Sequence, residues 1–195
     1  MISLRDLRPD DEEMIYRWRN MPEVVRYMYT DRLIDRREHE GWFRRIQTDP
    51  TRRHWIITCD QEEVGVANLY AIDPVSRRCH WAFYIASPKA RGKGVGTLTE
   101  YFVLQHVFEE LNFNRLCCEV LSMNESVIRM HKEFGFVQEG VLRQHVMKEG
   151  RFMDVVSLAM LRQEWSTGKS QIECRMKRRG LSWEEKRRSR SFGKG

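Results

Sequence analysis

The sequence predicts a mixed α/β fold in which helices flank a mostly antiparallel central sheet. Apolar residues recur with helical spacing in some segments and alternate as in strands in others. These segments follow one another in the order β-α-α-β-β-β-α-β-α-β-β, and short turns between neighbouring strands favour antiparallel pairing. The length of 195 residues leaves room for one domain of ordinary size.

The N-terminal part predicts a short strand over residues 2–7 followed by two helices. Pro9-Asp10-Asp11-Glu12 has the composition of a helix start, and Asn20-Met21-Pro22 ends that first helix. A second helix is predicted over residues 35–47, because its apolar side chains recur on one face.

From residue 54 onward the pattern changes to that of strands. A polar turn over 60–62 joins two strands, and a third strand leads into a loop with several glycines. The predicted strands cover 54–59, 63–70, 78–86, 115–121, 137–145 and 151–161, with helices over 95–111 and 125–134. Neither a repeat nor a linker divides this body, so we predict one domain over residues 1–165.

Basic residues are concentrated at the C-terminus. The whole chain has 34 Lys and Arg against 28 Asp and Glu, but residues 166–195 alone hold ten basic and three acidic side chains. We therefore predict a solvated, partly disordered basic tail over residues 166–195. Contact of this tail with nucleic acid is the less favoured interpretation, because the body has no basic excess.

The composition excludes a membrane-spanning protein and argues against a secreted one. No run approaches the roughly 18 uncharged apolar residues that a membrane helix needs, and the N-terminus lacks the pattern of a secretion signal. The five cysteines form neither a disulfide framework nor a paired metal motif. We therefore expect free thiols, no bound metal and a cytoplasmic location.

The turn between the third central strand and the following helix carries the most informative pattern. It contains Gly92, Gly94 and Gly96, with Arg91 before the first glycine and Lys93 between the first two. Free backbone amides at a helix N-terminus can bind a pyrophosphate, and Arg91 and Lys93 add positive charge that favours a phosphate there. The turn lacks the Gly-Lys-Ser/Thr ending of a P-loop and the context of a dinucleotide-binding turn. A tight packing turn is the alternative interpretation.

Two segments together resemble the signatures of the GNAT family of N-acetyltransferases. Arg91-Gly92-Lys93-Gly94-Val95-Gly96 fits the family's Arg/Gln-x-x-Gly-x-Gly/Ala loop. The segment from Asn124 to Phe136 fits the second signature, in which Asn opens a helix that ends in a Gly-Phe turn. The resemblance covers roughly residues 2–163 and implies the acyl-CoA N-acyltransferase fold.

Further segments are similar to one branch of this family. They are Arg17–Asn20, Val25–Asp31, Glu38–Phe43, Trp81–Ile85 and Asp154–Met160. That branch acetylates the 4-amine of a UDP-linked 4-amino-4,6-dideoxy sugar in pseudaminic acid biosynthesis. Acetyltransferases for ribosomal-protein N-termini and for polyamines share a similar front end, so these segments are less specific than the glycine loop.

The resemblance implies acetyl-CoA as co-substrate and indicates which residues hold it. The cradle for the CoA phosphates would consist of Arg91, Gly92, Lys93, Gly94, Val95, Gly96 and Thr97. The backbone of Ile85 and Ala86 would pair with the pantetheine arm like an added strand. Asn124 would offer its amide to the same arm, and it also suits the capping position of the following helix.

Direct attack of an amine on the thioester needs a route for the amine proton and a proton for the departing thiolate. His131 stands where many relatives have a tyrosine acid, and an imidazolium could serve there. A half-buried helix histidine is the alternative. Glu119 and His80 are the candidate bases, with an ion-pair role or a water relay as alternatives.

A UDP-sugar acceptor needs positive charge and a stacking surface. We predict that the N-terminal helices supply them through Arg17, Arg26, Tyr29, His39 and Trp42, although tryptophans at such positions are also typical of a core.

Two other functions stay open at this point. A polyamine acceptor would need acidic residues such as Asp10–Glu13, which equally suit the first turn of a helix. A non-enzymatic module that binds acyl-CoA or nucleic acid is disfavoured by the intact glycines and Asn124. Two copies of the chain could pair as a homodimer through the late strands.

Overall fold

A seven-stranded sheet forms the centre of the computed structural model, which describes residues 1–183. The strands are β1 (Ile2–Asp6), β2 (Arg53–Cys59), β3 (Glu62–Asp73), β4 (Arg78–Ile85), β5 (Arg115–Leu121), β6 (Val137–Lys148) and β7 (Arg151–Leu161). The helices are α1 (Glu12–Arg19), α2 (Pro22–Val25), α3 (Arg36–Thr48), α4 (Val95–Gln105), α5 (Glu125–Phe134) and α6 (Arg162–Arg178). The predicted fold class, a largely antiparallel sheet flanked by helices, is confirmed.

The sheet is split between its two central strands. The strand order is β1-β2-β3-β4-β5-β7-β6, and β4 and β5 are the parallel neighbours in it. They pair only where Arg78–His80 lies beside Arg115–Cys117. Beyond that point Trp81–Ile85 and Cys118–Leu121 diverge, which leaves two facing strand edges without hydrogen bonds to each other. This opening positions the candidate site.

Helices cover both faces of the sheet and enclose the two larger of its three buried hydrophobic clusters. The larger core surrounds α4 and includes Trp81, Tyr101, Leu104, Leu116 and Leu158, all at most 1% exposed. The smaller core holds α1 and α3 against β2 and β3. Its buried side chains are Ile15, Phe43, Ile46, Ile56 and Val66. The N-terminal helices are therefore fixed to the sheet beside the opening.

The helix predicted over residues 95–111 is shorter than expected. α4 ends at Gln105, and His106–Glu110 continue the chain as a wider, π-helical turn in which the amide of Leu111 bonds to the carbonyl of His106. The one-turn helix α2 was not predicted. It begins with Pro22, a residue favoured in a first helical turn.

The start of the predicted tail differs from the prediction, because residues 166–178 belong to α6. Trp165, Ile172 and Met176 are each at most 3% exposed and pack into the main core. The hydroxyl of Tyr101 donates to Glu173 over 2.6 Å, which ties the helix to α4. The remainder of the predicted tail, residues 184–195, lies outside the described residues.

Two further observations concern the apolarity of the helices and the state of the cysteines. Within residues 1–183, none of the helices combines the length and the apolarity that crossing a membrane requires. All five cysteines are free, and Cys79, Cys117 and Cys118 are buried.

Candidate active site

A cavity of about 740 Å³ opens where β4 and β5 diverge. Its walls come from the two strands, the start of α5, the helix α3 and the segment before it. Eight of the residues predicted for the site line it: Tyr29, His39, Trp42, Ile85, Arg91, Glu119, Asn124 and His131. One space therefore holds residues from the predicted donor, acceptor and catalytic groups.

Other predicted site residues do not line this cavity. Arg17 is exposed and paired with Glu13, and Arg26 lies over the ring of Tyr27. His80 is at the closed end of the split, in register with Cys117 of β5. The amide of Ala86 bonds to the carbonyl of Val64 at 2.8 Å, so this donor is already used within the sheet. The segment Gly92–Thr97, which includes Lys93, follows Arg91 and forms the N-terminal end of α4 with the turn before it.

The glycine turn has the backbone conformation that its sequence predicts. Gly94 has φ +74° and precedes Val95, the first residue of α4, and Gly92 has φ +75°. This left-handed conformation is unfavourable for residues with a Cβ. No side chain caps the helix, so its first amides keep their donors for a ligand. A Cβ at Gly96 would lie 3.3 Å from Phe83, so this glycine allows α4 to approach β4 closely.

Asn124 occupies the N-cap position of α5, but its side chain does not cap the helix. Its Oδ1 accepts a hydrogen bond from the hydroxyl of Ser126 at 3.2 Å. Its Nδ2 has no hydrogen-bond partner within residues 1–183, and Asn124 lines the cavity. The amide that the family resemblance assigns to the pantetheine arm is therefore available.

His131 is held by a carboxylate that the sequence analysis did not single out. Its Nδ1 lies 2.8 Å from Oε1 of Glu100 on α4. His131 is 2% exposed and Glu100 0%. Burial raises the pKa of Glu100 above its usual value. The signal in the sequence was one acidic residue inside an otherwise uncharged helix.

Glu119 and Tyr29 form the second polar pair in the cavity. The hydroxyl of Tyr29 donates to Oε2 of Glu119 over 2.8 Å, joining residues that are 90 positions apart. Burial and the neighbouring carboxylate raise the pKa of Tyr29, so its hydroxyl stays protonated as a donor. The pair places a carboxylate at the strand edge of β5, opposite β4.

The segment that carries Tyr29 is anchored by a buried lysine of β6. Lys148 is 6% exposed, and its Nζ donates to the carbonyls of Val25 at 3.1 Å and Met28 at 2.9 Å. Asp31 lies 3.2 Å from the same nitrogen. Lys148 thereby holds residues 25–31 against the sheet.

The wall formed by α3 is partly structural. Nε2 of His39 lies 3.0 Å from the carbonyl of Glu12, and the ring contacts Tyr16 and Trp42. Burial lowers the pKa of His39, which favours its neutral form. Trp42 also meets His54 edge to face. His39 therefore forms part of the packed cavity wall. The exposed part of Trp42 offers an aromatic surface to the cavity.

Four further lining residues carry polar groups without partners. The hydroxyl of Tyr84, Nε1 of Trp81 and Nδ1 of His54 are buried and have no hydrogen bond within the described chain. Arg19 has neither an ion pair nor a hydrogen bond there, and burial lowers the pKa of its guanidinium despite the opposing effect of Glu38. Unsatisfied buried polar groups are rare, and at a cavity they indicate a polar ligand. Their partnerless state depends on the fold and could not be read from the sequence.

The split between two parallel strands beside an uncapped glycine turn defines a class of protein, the acyltransferases that use a CoA thioester. The free strand edges suit an extended pantetheine arm, and the amides and Arg91 suit its phosphates. Residues 2–137 match the acetyltransferase (GNAT) domain family, and the chain belongs to this family. It is an acetyl-CoA-dependent N-acetyltransferase.

Relatives with different names resemble the chain to a similar degree. It is 25% identical over 164 residues to spermidine N(1)-acetyltransferase of Escherichia coli K12, covering 84% of this chain and 88% of the relative. It is 27% identical over 139 residues to acetyltransferase PseH of Campylobacter jejuni, covering 70% and 85%. The structure of spermidine N-acetyltransferase from Vibrio cholerae, solved with CoA and spermine, superposes with a TM-score of 0.79 at 23% identity, covering 85% of this chain and 98% of that one.

Proposed function

We propose that the enzyme acetylates an amine on an anionic, nucleotide-linked sugar, namely the 4-amino group of a UDP-linked 4-amino-4,6-dideoxy sugar. The observation that carries this proposal is Arg19, a largely buried guanidinium in the cavity wall with no carboxylate partner in residues 1–183. A buried cation without a partner is costly. A diphosphate would provide the missing negative charge.

The balance of free charges in the cavity supports an anionic acceptor. Arg45 and Arg91 also line it without an ion pair in the described part of the chain. Two of its carboxylates are already engaged, since Glu38 pairs with Arg32 and Glu119 accepts from Tyr29. Free positive charge favours a phosphate and disfavours a polycation.

The neutral groups of the wall suit a sugar and a base. The hydroxyl of Tyr84, Nε1 of Trp81 and Nδ1 of His54 could bond to hydroxyl or phosphate oxygens. Trp42 offers a face on which a planar base could stack. Tyr84 and Trp42 pack against the smaller core beside α1 and α3, whereas Trp81 lies against His131.

The residues of the chain divide the chemistry between them. The turn at Gly94, Arg91 and Asn124 binds and orients the co-substrate, and acetyl-CoA supplies the acetyl thioester whose C–S bond breaks as the N–C bond forms. Glu119, held by Tyr29, accepts the amine proton directly or through water. His131 donates the proton that the leaving sulfur takes up.

A polyamine is the second candidate acceptor, favoured by the similarity to spermidine acetyltransferases and by Glu23, which lines the cavity without an ion pair in the described chain. The acidic residues of the first helix do not supply such a site. Asp11 is bound by Arg5, and Glu13 by Arg17 and Arg36. None of the segment Asp10–Glu13 lines the cavity.

The test is CoA release with three acceptors offered separately: the UDP-amino sugar, spermidine and a ribosomal-protein N-terminal peptide. We expect turnover with the sugar, and Arg19→Met should raise its KM by about tenfold, the loss of one charged hydrogen bond. Arg44→Met is the matched control, because Arg44 is exposed on α3 and does not line the cavity. Turnover with spermidine or the peptide alone would overturn the sugar assignment.

A further inference from the structure

Glu100 and His131 form a buried pair directly behind the cavity. The two side chains come from α4 and α5, and their 2.8 Å contact occupies Nδ1 of the imidazole. Nε2 is the ring nitrogen that remains, and His131 lines the cavity. The second carboxylate oxygen of Glu100 is buried without a hydrogen bond in residues 1–183. The carboxylate therefore acts on the histidine rather than on a ligand.

The surroundings of the pair are mostly apolar. The imidazole meets Trp81 edge to face, with ring centroids 5.4 Å apart, and Phe136 at 5.3 Å. The titratable groups near the carboxylate are Glu133 of α5 and Cys118 of β5, and burial raises the pKa of the Cys118 thiol. An ionised Glu100 carboxylate beside a neutral imidazole would be a costly net charge in this environment. We therefore treat Glu100 and His131 as one unit that holds its protons jointly.

When the imidazole nitrogens of His131 and the carboxylate of Glu100 together carry two protons, the pair has no net charge, and it can take either of two forms. It is an imidazolium beside a carboxylate, or an imidazole that accepts a hydrogen bond from a carboxylic acid. In both forms Nε2 carries a hydrogen, because the other proton stays between Nδ1 and Oε1. A buried neutral pair can thus present an N–H donor to the cavity without carrying a net charge.

We propose that Glu100 is a positioning residue that keeps a proton on Nε2 of His131 for the departing sulfur. In the step, the Nε2–H bond breaks, an S–H bond forms, and the electron pair of the N–H bond stays on the imidazole. The remaining proton moves to Nδ1 and leaves an imidazole beside a carboxylate. Solvent then returns one proton to the pair. This inference rests on the acid role proposed for His131.

The decisive experiment compares Glu100→Leu in two backgrounds. In the wild-type background it should lower kcat by about 100-fold, the usual range for loss of an acid, with both KM values unchanged. The basic limb of the kcat profile should move to lower pH. In a His131→Tyr background, where a phenol replaces the imidazole, Glu100→Leu should have no further effect. A purely structural tie between α4 and α5 would instead give the same loss in both backgrounds.

The free protein supplies a second readout. Long-range ¹H–¹⁵N correlation spectra of histidine-labelled protein should show hydrogen on Nε2 of His131 at neutral pH, and Glu100→Leu should change that population. Glu100→Gln repeats both measurements with a milder change. Glu110→Leu is the matched control, because Glu110 lies 2.9 Å from Nδ1 of His106 in a pair outside the cavity. It should leave kcat unchanged.

Two outcomes separate the inference from the function on which it rests. If His131→Leu leaves kcat unchanged, the acid role fails, and the inference fails with it. If His131→Leu slows the reaction but Glu100→Leu does not, the acid role stands and the inference alone is overturned.

Discussion

The donor side and the acceptor side of the cavity are built in different ways. The donor side consists of two continuous segments, Arg91–Thr97 and Asn124–Phe134, each of which contains the start of a helix. The acceptor side joins single side chains from distant parts of the chain. Tyr29 meets Glu119 across 90 positions, and Lys148 reaches Met28 across 120.

This difference has a chemical reason. Every CoA molecule presents the same phosphates and the same pantetheine arm, so a fixed backbone geometry can serve all of them. Acceptors differ in charge and shape, and only side chains can adapt to that variety. Substitutions on the two sides should therefore affect different kinetic constants, and three predictions test the separation.

The largest effect is expected at the carboxylate between the two sides. Glu119→Gln should lower kcat by about 100-fold through loss of the general base, with the KM for acetyl-CoA unchanged. Tyr29→Phe retains the carboxylate of Glu119 but removes the hydroxyl that donates a hydrogen bond to it, so kcat should fall by less than in Glu119→Gln. Steady-state kinetics as a function of pH would measure both, and the acidic limb of the profile should disappear in Glu119→Gln.

Glu62→Gln provides the control for this substitution, since Glu62 is exposed at the start of β3. An unchanged kcat and pH profile for Glu119→Gln would remove Glu119 as the base and leave the water relay.

An intermediate effect is expected at the glycine turn on the donor side. Gly94→Ala forces a Cβ into a left-handed conformation, at a cost of roughly 1–2 kcal/mol, and that Cβ would overlap the side chain of Leu181. The Kd for CoA should rise by about tenfold, while the KM for the acceptor stays constant. Calorimetric titration of the free enzyme with CoA measures the change.

The double variant Gly94→Ala with Leu181→Ala separates the two causes, because it relieves the contact but not the backbone strain. Gly140→Ala is the control, since Gly140 has space for a Cβ and no left-handed backbone. A rise in the acceptor KM as large as the rise in Kd would show that the two sides are not separable.

The contrast between the two sides also explains what the sequence could predict. The glycine turn and the helix start at Asn124 are local, so their residue types and spacing are sufficient to find them. The same holds for the positions of the seven strands along the chain, because short apolar runs bounded by polar turns mark them. α6 was missed because its buried residues Trp165, Ile172 and Met176 form a narrow stripe in a highly charged segment.

The acceptor side and the buried pair depend on tertiary contacts. Arg19 lies in a segment that resembles one branch of the family, but only the fold shows that it is largely buried and forms no ion pair within residues 1–183. Glu100 is 31 positions from His131, and nothing in the sequence indicates that α4 and α5 bring the two side chains together. For such residues the sequence gives the chemical groups but not their partners.

The smallest effect is expected at the lysine that anchors the acceptor side. Lys148→Met removes the hydrogen bonds to the carbonyls of Val25 and Met28 and the ion pair with Asp31. Residues 25–31 should then lose order in the free enzyme, and acceptor binding must restore it. We expect the KM for the acceptor to rise by about fivefold, about 1 kcal/mol, while the Kd for CoA is unchanged.

Hydrogen exchange of the amides in residues 25–31 gives a measurement that is independent of turnover. Exchange should be faster in Lys148→Met and unchanged in Lys169→Met, whose lysine pairs with Glu109 on the far side of the fold. Faster exchange without a change in the acceptor KM would mean that Tyr29 does not contribute to acceptor binding. Because Lys148 contacts no residue of the glycine turn, an equal loss of CoA affinity would contradict the separation of the two sides.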